Sequence, residues 1–561
     1  MKIAASVIFF VICAIFYIDA SPNKRISDLF ELSVVHFNDF HARFDPINLG
    51  GNTCKTGEEC IGGFSRLYKE IMNLLNEKPK ALLLNGGDNF QGTLWYTIGK
   101  WNVTQEFINK LPIEAEVLGN HEFDDGIDGI VPYIKALKHP IIVSNIDDSL
   151  EPSIQGTYKK SVVIERNGKK IGIVGVLTAD CANLSSTGKL VFHDESASVN
   201  AEAERLVKEE NVYTVIVLSH SGYDVDKKIA QNASEKISLI VGAHSHSFLW
   251  TGDNPPGPDT VQGPYPTIIE SKNGHNVLVT QASCYTKFVG NITVYLDETG
   301  EAVDWSGAPI YLDSSSPQDE EINEQMKPWK DKVDGEGNRV IGSSLVTLSK
   351  KHCYVRECAL GNFVTDAMVY EYTKSVPEGS WTNVALAITN AGSLRADISA
   401  GNITFSDLMT AQPFGNTIDY GSIQGKYLKE MFEHGANAVS YTGSTTASLN
   451  LLQHSGFIVE IDTGKPAGQR VVSLKVRCQN CTVPVYNDIE MERYYKLSVN
   501  SFLASGGDGY SMIAENMINK HVGRHDFDIM MEYLDHRSPV FQEEGKRSTV
   551  FNETTLFQIS R

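Results

Sequence analysis

The sequence predicts an α/β protein, layered in the α+β manner, with two domains joined by a helical linker. Three observations carry that prediction. From Glu31 to about Asp313, short apolar runs rich in β-branched residues alternate with helical stretches. A segment over 314–342 then turns Ser- and Asp/Glu-rich and spaces its apolar residues as a helix does. A second alternating unit follows to about residue 530. The 561 residues suffice for two to four domains at about 100–200 residues each. With 42% hydrophobic and 21% charged residues, the chain is not disordered, collagenous or a coiled coil as a whole.

In order along the chain, Lys2, the apolar run Ile3 to Ile18 and small Ala20 read as a signal peptide over residues 1–20. That run is shorter than the roughly 20 residues a membrane span needs. A first domain over 21–313 carries strand candidates Leu32–Phe37, Ala81–Leu84, Ile171–Val176, Val215–Leu218 and Ile237–Val241. Arg66–Leu75 and Ala201–Glu209 are the helices between them. Ile322, Met326, Trp329 and Val333, spaced by three to four, make the linker helix of 314–342, which Gly335 and Gly337 should close. A second domain occupies 343–530, with a strand at Val384–Ile388. Residues 531–561 are expected to be a surface tail. Their end is polar and lacks the apolar stretch that a glycolipid anchor requires. The expectation is a secreted, extracellular monomer without a membrane anchor.

The charge of −20 repels phosphate backbones and anionic lipids, so nucleic acid is an unsuitable partner. A small anionic substrate remains compatible, because local cations override the global sign. Cys54/Cys60, Cys353/Cys358 and Cys478/Cys481 are close pairs suited to disulfides in an exported chain. Cys181 and Cys284 are left over, bonded or free. Asn-x-Ser/Thr triplets begin at Asn102, Asn183, Asn232, Asn291, Asn402, Asn480 and Asn552, and several should carry glycan.

The chemistry lies where the apolar runs end. Leu32–Phe37 runs into Asp39 and His41, and Ala81–Leu84 into Asp88. Val117-Leu118 runs into Asn120, His121 and Asp124. Val215–Leu218 runs into His220, and Ile237–Val241 into His244 and His246. Ligands of open α/β sheets bind beyond the carboxyl ends of strands, so these ends can converge on one site. Asp, Asn and His without cysteine suit divalent zinc, manganese, iron or magnesium. Two ions need a bridging carboxylate, for which Asp88 is the candidate. Such a pair generates hydroxide and clamps a phosphoryl group. Taken singly, His121 reads as a structural histidine and Asp39-x-His41 as a surface loop; taken together they do not.

Asp39-x-His41, Gly87-Asp88-x-x-Gln91-Gly92, Gly119-Asn120-His121-Glu122-Phe123-Asp124 and Gly242-Ala243-His244-Ser245-His246 resemble the binuclear metallophosphoesterase motifs of the 5′-nucleotidase family. Its secreted branch, the salivary apyrases of blood-feeding arthropods, is the most similar. The resemblance implies a calcineurin-like β-sandwich with flanking helices, then an α/β nucleotide-binding domain. It implies that Asp39, His41 and Asp88 hold one divalent ion, and Asp88, Asn120, His220 and His244 a second. Zinc, magnesium, calcium or manganese would serve. His246 falls where some relatives have an amide that completes the first ion's shell. His121 and Asp124 match the catalytic dyad, and a metal-held water or hydroxide is the implied nucleophile. The second domain is implied to rotate about the linker.

In the second domain, Asn390 ends a strand candidate and Arg395 follows it. Arg356 lies in the Cys353–Cys358 loop, Phe414 beside Gly415, and Phe502 and Asp508 in a glycine-rich run. Two aromatics can sandwich a purine, Asp508 can accept ribose hydroxyls, and Arg356 and Arg395 can bind phosphate. By themselves Phe414 and Phe502 read as core aromatics, Asn390 as a turn residue and Arg356 as a surface charge. The family's use of these motifs for its nucleotide pocket implies the functional reading. One departure stands out: many relatives have Arg after the loop's first cysteine, and this chain has Tyr354. The expected activity is an apyrase taking ATP and ADP to AMP, opposing ADP-driven platelet aggregation in a host. The alternatives are a 5′-nucleotidase making adenosine from AMP, and a non-catalytic nucleotide binder.

Overall fold

The computed structural model describes residues 29–49, 51–374, 376–437 and 449–552. The expected signal peptide lies outside them. The first domain is built on two six-stranded sheets. In one, Phe30–Phe37 is central, antiparallel to Phe288–Leu296 and parallel to Leu82–Asn85. In the other, Lys169–Leu177, Thr214–His220 and Ile237–Val241 run parallel. Every residue of Thr214–His220 and Ile237–Val241 is buried, which is why these segments read as unbroken apolar runs rather than alternating ones.

Alternation is visible instead in the first sheet. Leu32, Val34, Leu82 and Leu84 point into a core shared with Ile171, Val215 and Ile237 of the second sheet. Val35, Phe37 and Leu83 point the other way, into a core with Leu67 and Ile71 of the helix Phe64–Glu77. The two sheets therefore sandwich one core and helices cover an outer face.

The linker contains a helix, Glu320–Gly337, which runs through Gly335 and Gly337 and ends at Asn338. Ile322, Met326 and Val333 bury against the first domain's helical core. Trp329 Nε1 donates to Glu106 at 2.9 Å, and Lys330 pairs with Asp45 at 2.9 Å. The helix is thus docked on the first domain rather than suspended between the two.

The second domain has a five-stranded sheet in which Leu386–Asn390 lies parallel to Tyr494–Asn500, and a four-stranded sheet beside it. The expected surface tail is corrected here. Asp526–Arg537 is a helix, Val540 is buried, and Ser548–Phe551 adds a parallel strand to Phe457–Asp462. The short Ser-Thr-Val-Phe strand covers a sheet edge that would otherwise be open. Arg547 reinforces it, holding Asp366 through two 2.8 Å bonds. Three disulfides form, Cys54–Cys60, Cys353–Cys358 and Cys478–Cys481, whereas Cys181 and Cys284 are free and buried. The Cys54–Cys60 loop reaches across to the second domain. Asn52 Nδ2 donates to Asp397 O at 2.7 Å, and Lys55 pairs with buried Asp407 at 2.9 Å.

Candidate metal centre

The strand ends of the first domain converge. Phe37, Asn85, His220 and Val241 are the last residues of four strands, and Asp39, Asp88, Asn120, His220 and His244 lie at or just past such ends. Turning the side chains inward bends the backbone. Five of the seven expected ligands have positive φ: Asp39 (51°), His41 (47°), Asp88 (55°), His244 (74°) and His246 (54°). Each such non-glycine residue costs about 1–3 kcal/mol and persists only where its surroundings enforce it. Gly119 makes room for the closest approach: a Cβ there would lie 2.1 Å from Asp88 Oδ1.

Three sets of ligand atoms each fall within 4.8 Å: Asp39, His41 and His246; His41, Asp88 and His121; Asp88, His220 and His244. Asp88 Oδ2 lies 3.2 Å from His220 Nε2 and 3.5 Å from His41 Nε2. His246 Nε2 lies 3.3 Å from Asp39 Oδ1 and 3.2 Å from His41 Nε2. The other imidazole edges are anchored. His41 Nδ1 donates to Phe90 O and His220 Nδ1 to Gly86 O, which leaves each Nε2 facing the cluster.

These residues fit divalent ions by a test internal to the molecule. Asp39 Oδ1, Asn120 Oδ1 and His220 Nε2 are buried without a well-directed hydrogen bond inside the protein. Buried polar atoms are seldom left so, and of the sixteen such atoms among the described residues these three gather at the expected ligand cluster. The ionisation of the cluster is divided: burial opposes charge on His220 and His246, yet Asp88 raises His220 to about 9, and Cys284 with Asp39 raises His246 well above its ordinary value, whereas Asp88 and His244 take ligating forms. Burial opposes charge on Asp88, but His220, His121 and His41 outweigh it and hold the carboxyl well below its usual range. Burial and neighbouring His220 lower His244 to about 3, so its ring stays neutral, the form that ligates metals.

His121 stands beside this cluster. Its Nδ1 donates to Asp124 Oδ2 at 2.7 Å, and Ser185 Oγ holds the other Asp124 oxygen at 2.9 Å. Burial disfavours charge on His121, yet Asp124 and Asp88 raise its pKa above the ordinary value. Glu122, quoted in the motif but given no role by sequence reasoning, is the clasp. Its carboxylate accepts the backbone N–H groups of Asp88, Asn89, Phe90 and Gly119 at 2.6–3.2 Å. It thereby ties the Asp88 loop to the Gly119 turn.

The second domain meets this centre directly. Arg395 Nη2 lies 3.3 Å from His41 Nε2. Phe414 stacks on His121, with ring centroids 5.5 Å apart and planes 21° apart. Asn390 Nδ2 donates to Asp508 Oδ2 at 2.8 Å, and Asn500 Nδ2 to Asn390 Oδ1 at 3.0 Å. Burial raises Asp508 to about 6, against the Asn390 bond that lowers it. Phe502 lies against Gly507, where a Cβ would come within 2.5 Å of its ring. Arg356 is not brought to this group; half-exposed, it faces Glu544 at 3.9 Å. Tyr354 is: a Cβ on Gly392 would lie 3.8 Å from both the Tyr354 hydroxyl and Asp508 Oδ2. Sequence reasoning also missed Tyr285, whose ring meets His41 and His246 at 5.5 and 5.2 Å under the Arg43 guanidinium. Nothing in its neighbourhood along the chain marks it. Burial would raise its phenol, but Arg395 and His246 lower it to about 7.

Residues 32–248 match the family model described as calcineurin-like phosphoesterase, and residues 340–515 match 5′-nucleotidase, C-terminal domain. The chain is 49% identical to an apyrase of Tabanus yao over 521 residues, covering 92% of this chain and 93% of that one. It is 35% identical to 5′-nucleotidase of Mus musculus over 529 residues, covering 93% and 90%. The crystal structure of the 5′-nucleotidase precursor from Thermus thermophilus aligns with a TM-score of 0.85 at 30% identity, covering 93% of this chain and 100% of that one. These likenesses extend through both domains, so the chain belongs to the 5′-nucleotidase family of metallophosphoesterases and is a nucleotide phosphohydrolase.

Proposed function

We propose that this protein is an extracellular apyrase that takes ATP and ADP to AMP and phosphate, using two divalent ions. Asp39, His41, Asp88 and His246 would hold one ion, and Asp88, Asn120, His220 and His244 the other. Bound there, the ions supply Lewis acidity and an activated water for attack on phosphorus. The observation that carries this reading is the meeting of the ligand cluster with a cation from the other domain, Arg395 at 3.3 Å from His41.

The chain's own residues do the rest. Arg395 binds phosphoryl oxygens and offsets their charge. His121, whose pKa Asp124 and Asp88 raise against burial, meets the negative charge that grows on those oxygens during transfer. Asn390 and Asp508 hold the ribose, and Phe502 with Phe414 the base. Tyr354 offers a neutral hydroxyl beside that pair, where many relatives have a cation.

The 49% identity to an apyrase supports the choice of ATP and ADP. Three disulfides support an oxidising, extracellular setting, and no helix among the described residues is long and apolar enough to cross a membrane. Removal of ADP, a platelet agonist, from a host's blood is the biological role that follows from the resemblance to salivary apyrases. The test is phosphate release from ATP, ADP and AMP side by side. Turnover of ADP without AMP supports the apyrase reading; turnover of AMP alone replaces it with the nucleotidase. EDTA should abolish release and added divalent metal restore it, and full turnover in chelator would overturn the metal assignment.

A further inference from the structure

We propose that Phe414 is a positioning residue for His121: its ring, carried in by the second domain, is the wall that sets the angle of the catalytic imidazole. This deepens the phosphohydrolase reading above and rests on it.

His121 is held along one edge by the 2.7 Å bond from Nδ1 to Asp124. A single hydrogen bond fixes one point of a ring and leaves it free to pivot about that point. The His41 ring limits the pivot from the side, meeting His121 at 5.1 Å and 70°. Phe414 covers a face, nearly parallel at 21° and 5.5 Å between centroids, within the range of favourable ring pairs. Asp124 and His41 belong to the same domain as His121. Phe414 does not, so the full set of constraints exists only when the two domains are packed together.

Phe414 is itself well supported. Gly415, with φ of 65°, turns the chain after it. The Asn416 carbonyl accepts from Asp526 N at 2.8 Å, and Gln412 Nε2 reaches Ser393 Oγ at 3.4 Å. The Arg395 guanidinium lies over the Phe414 ring at 5.8 Å. The same ring thus touches the residue that acts on the phosphoryl oxygens and the residue that binds them.

The experiment compares Phe414→Leu, Phe414→Tyr and Phe502→Leu in the full-length, metal-loaded protein, using whichever of ATP, ADP and AMP it turns over. Phe414→Leu should lower kcat about tenfold or more, and Phe414→Tyr should restore it to within about twofold. Phe502→Leu should raise KM and leave kcat within about twofold. A second readout needs no turnover: the ring resonances of His121, assigned through His121→Gln, should move downfield in Phe414→Leu as the shielding ring is lost. A Phe414→Leu protein that loses only affinity, with kcat kept, overturns the proposal. So does an unmoved His121 resonance, whatever the kinetics. If no nucleotide is hydrolysed at all, the proposed function fails, while the resonance still reports whether the stack exists.

Discussion

The two domains expose their site residues to different degrees. In the first, Asp39, His41, Asp88, Asn120 and His220 are each no more than 4% exposed, and most sit on backbone bent into the left-handed region at strand ends. In the second, Asn390 and Asp508 are likewise buried, but Phe414, Phe502 and Tyr354 are partly exposed, on turns and a four-residue helix near Gly415, Gly507 and Gly392. The difference follows from what each must hold. Small, highly charged ions need ligands fixed to a fraction of an ångström, and only a buried, over-determined backbone can enforce that. A nucleotide is large and must enter and leave, so its contacts can lie on surfaces that give way.

Substitutions in the rigid region should therefore be the more damaging, and the largest effect is expected at Asp88. Asp88→Asn should strip metal from the protein, measured by elemental analysis, and lower kcat/KM beyond the roughly 10–100-fold typical of outer partners. Retention of both metal and activity would remove Asp88 from the bridging role. His121→Ala should lower kcat by roughly 10²–10³-fold, in keeping with loss of a group that stabilises developing charge, while metal content stays at the wild-type value. Glu122→Gln tests the clasp beneath the ligands. An amide NH₂ turned toward backbone N–H donors loosens the Asp88 loop, so metal affinity should fall about 10–100-fold, and excess metal should recover activity. If affinity is unchanged, Glu122 only stabilises the fold.

The smallest effect is expected at Asp508, a buried residue of the second domain. Its carboxyl titrates at about 6, so it protonates as pH falls below that value, and KM for nucleotide should rise between pH 7 and 5. The stability sign is the opposite one. A carboxyl raised above its ordinary 3.8 favours the fold below 3.8, and that contribution is lost as pH rises through about 6. Asp508→Asn, which also suits the positive φ of 54°, should therefore raise Tm at pH 8 by about 2–4 °C while weakening nucleotide binding. A lower Tm at that pH would show that the buried charge is compensated by its neighbours.

How much was legible in the sequence differs between the regions for the same reason. The candidate ligands Asp39, Asp88, Asn120, His220 and His244 stand out because each follows an apolar run by a few residues, and strand ends position what comes next. The strands themselves were displaced by no more than a few residues from their apolar runs, as with Val215–Leu218 within Thr214–His220. Tyr285 was invisible because it reaches His41 and His246 only through folding. The role of Glu122 was hidden because its partners are backbone N–H groups, which every residue but proline offers. Residues 531–552 look like a tail because a short polar-flanked strand such as Ser548–Phe551 has no meaning until Phe457–Asp462 is beside it.

The sequence alone pointed to the family, the fold class and the nature of the chemistry, because residue type and spacing along a strand are local properties. Only the tertiary structure decided which groups act together. Arg395 and His41 are 354 positions apart, and Phe414 reaches His121 from another domain. Such meetings depend on how whole sheets and loops pack, and no local pattern in the chain encodes them.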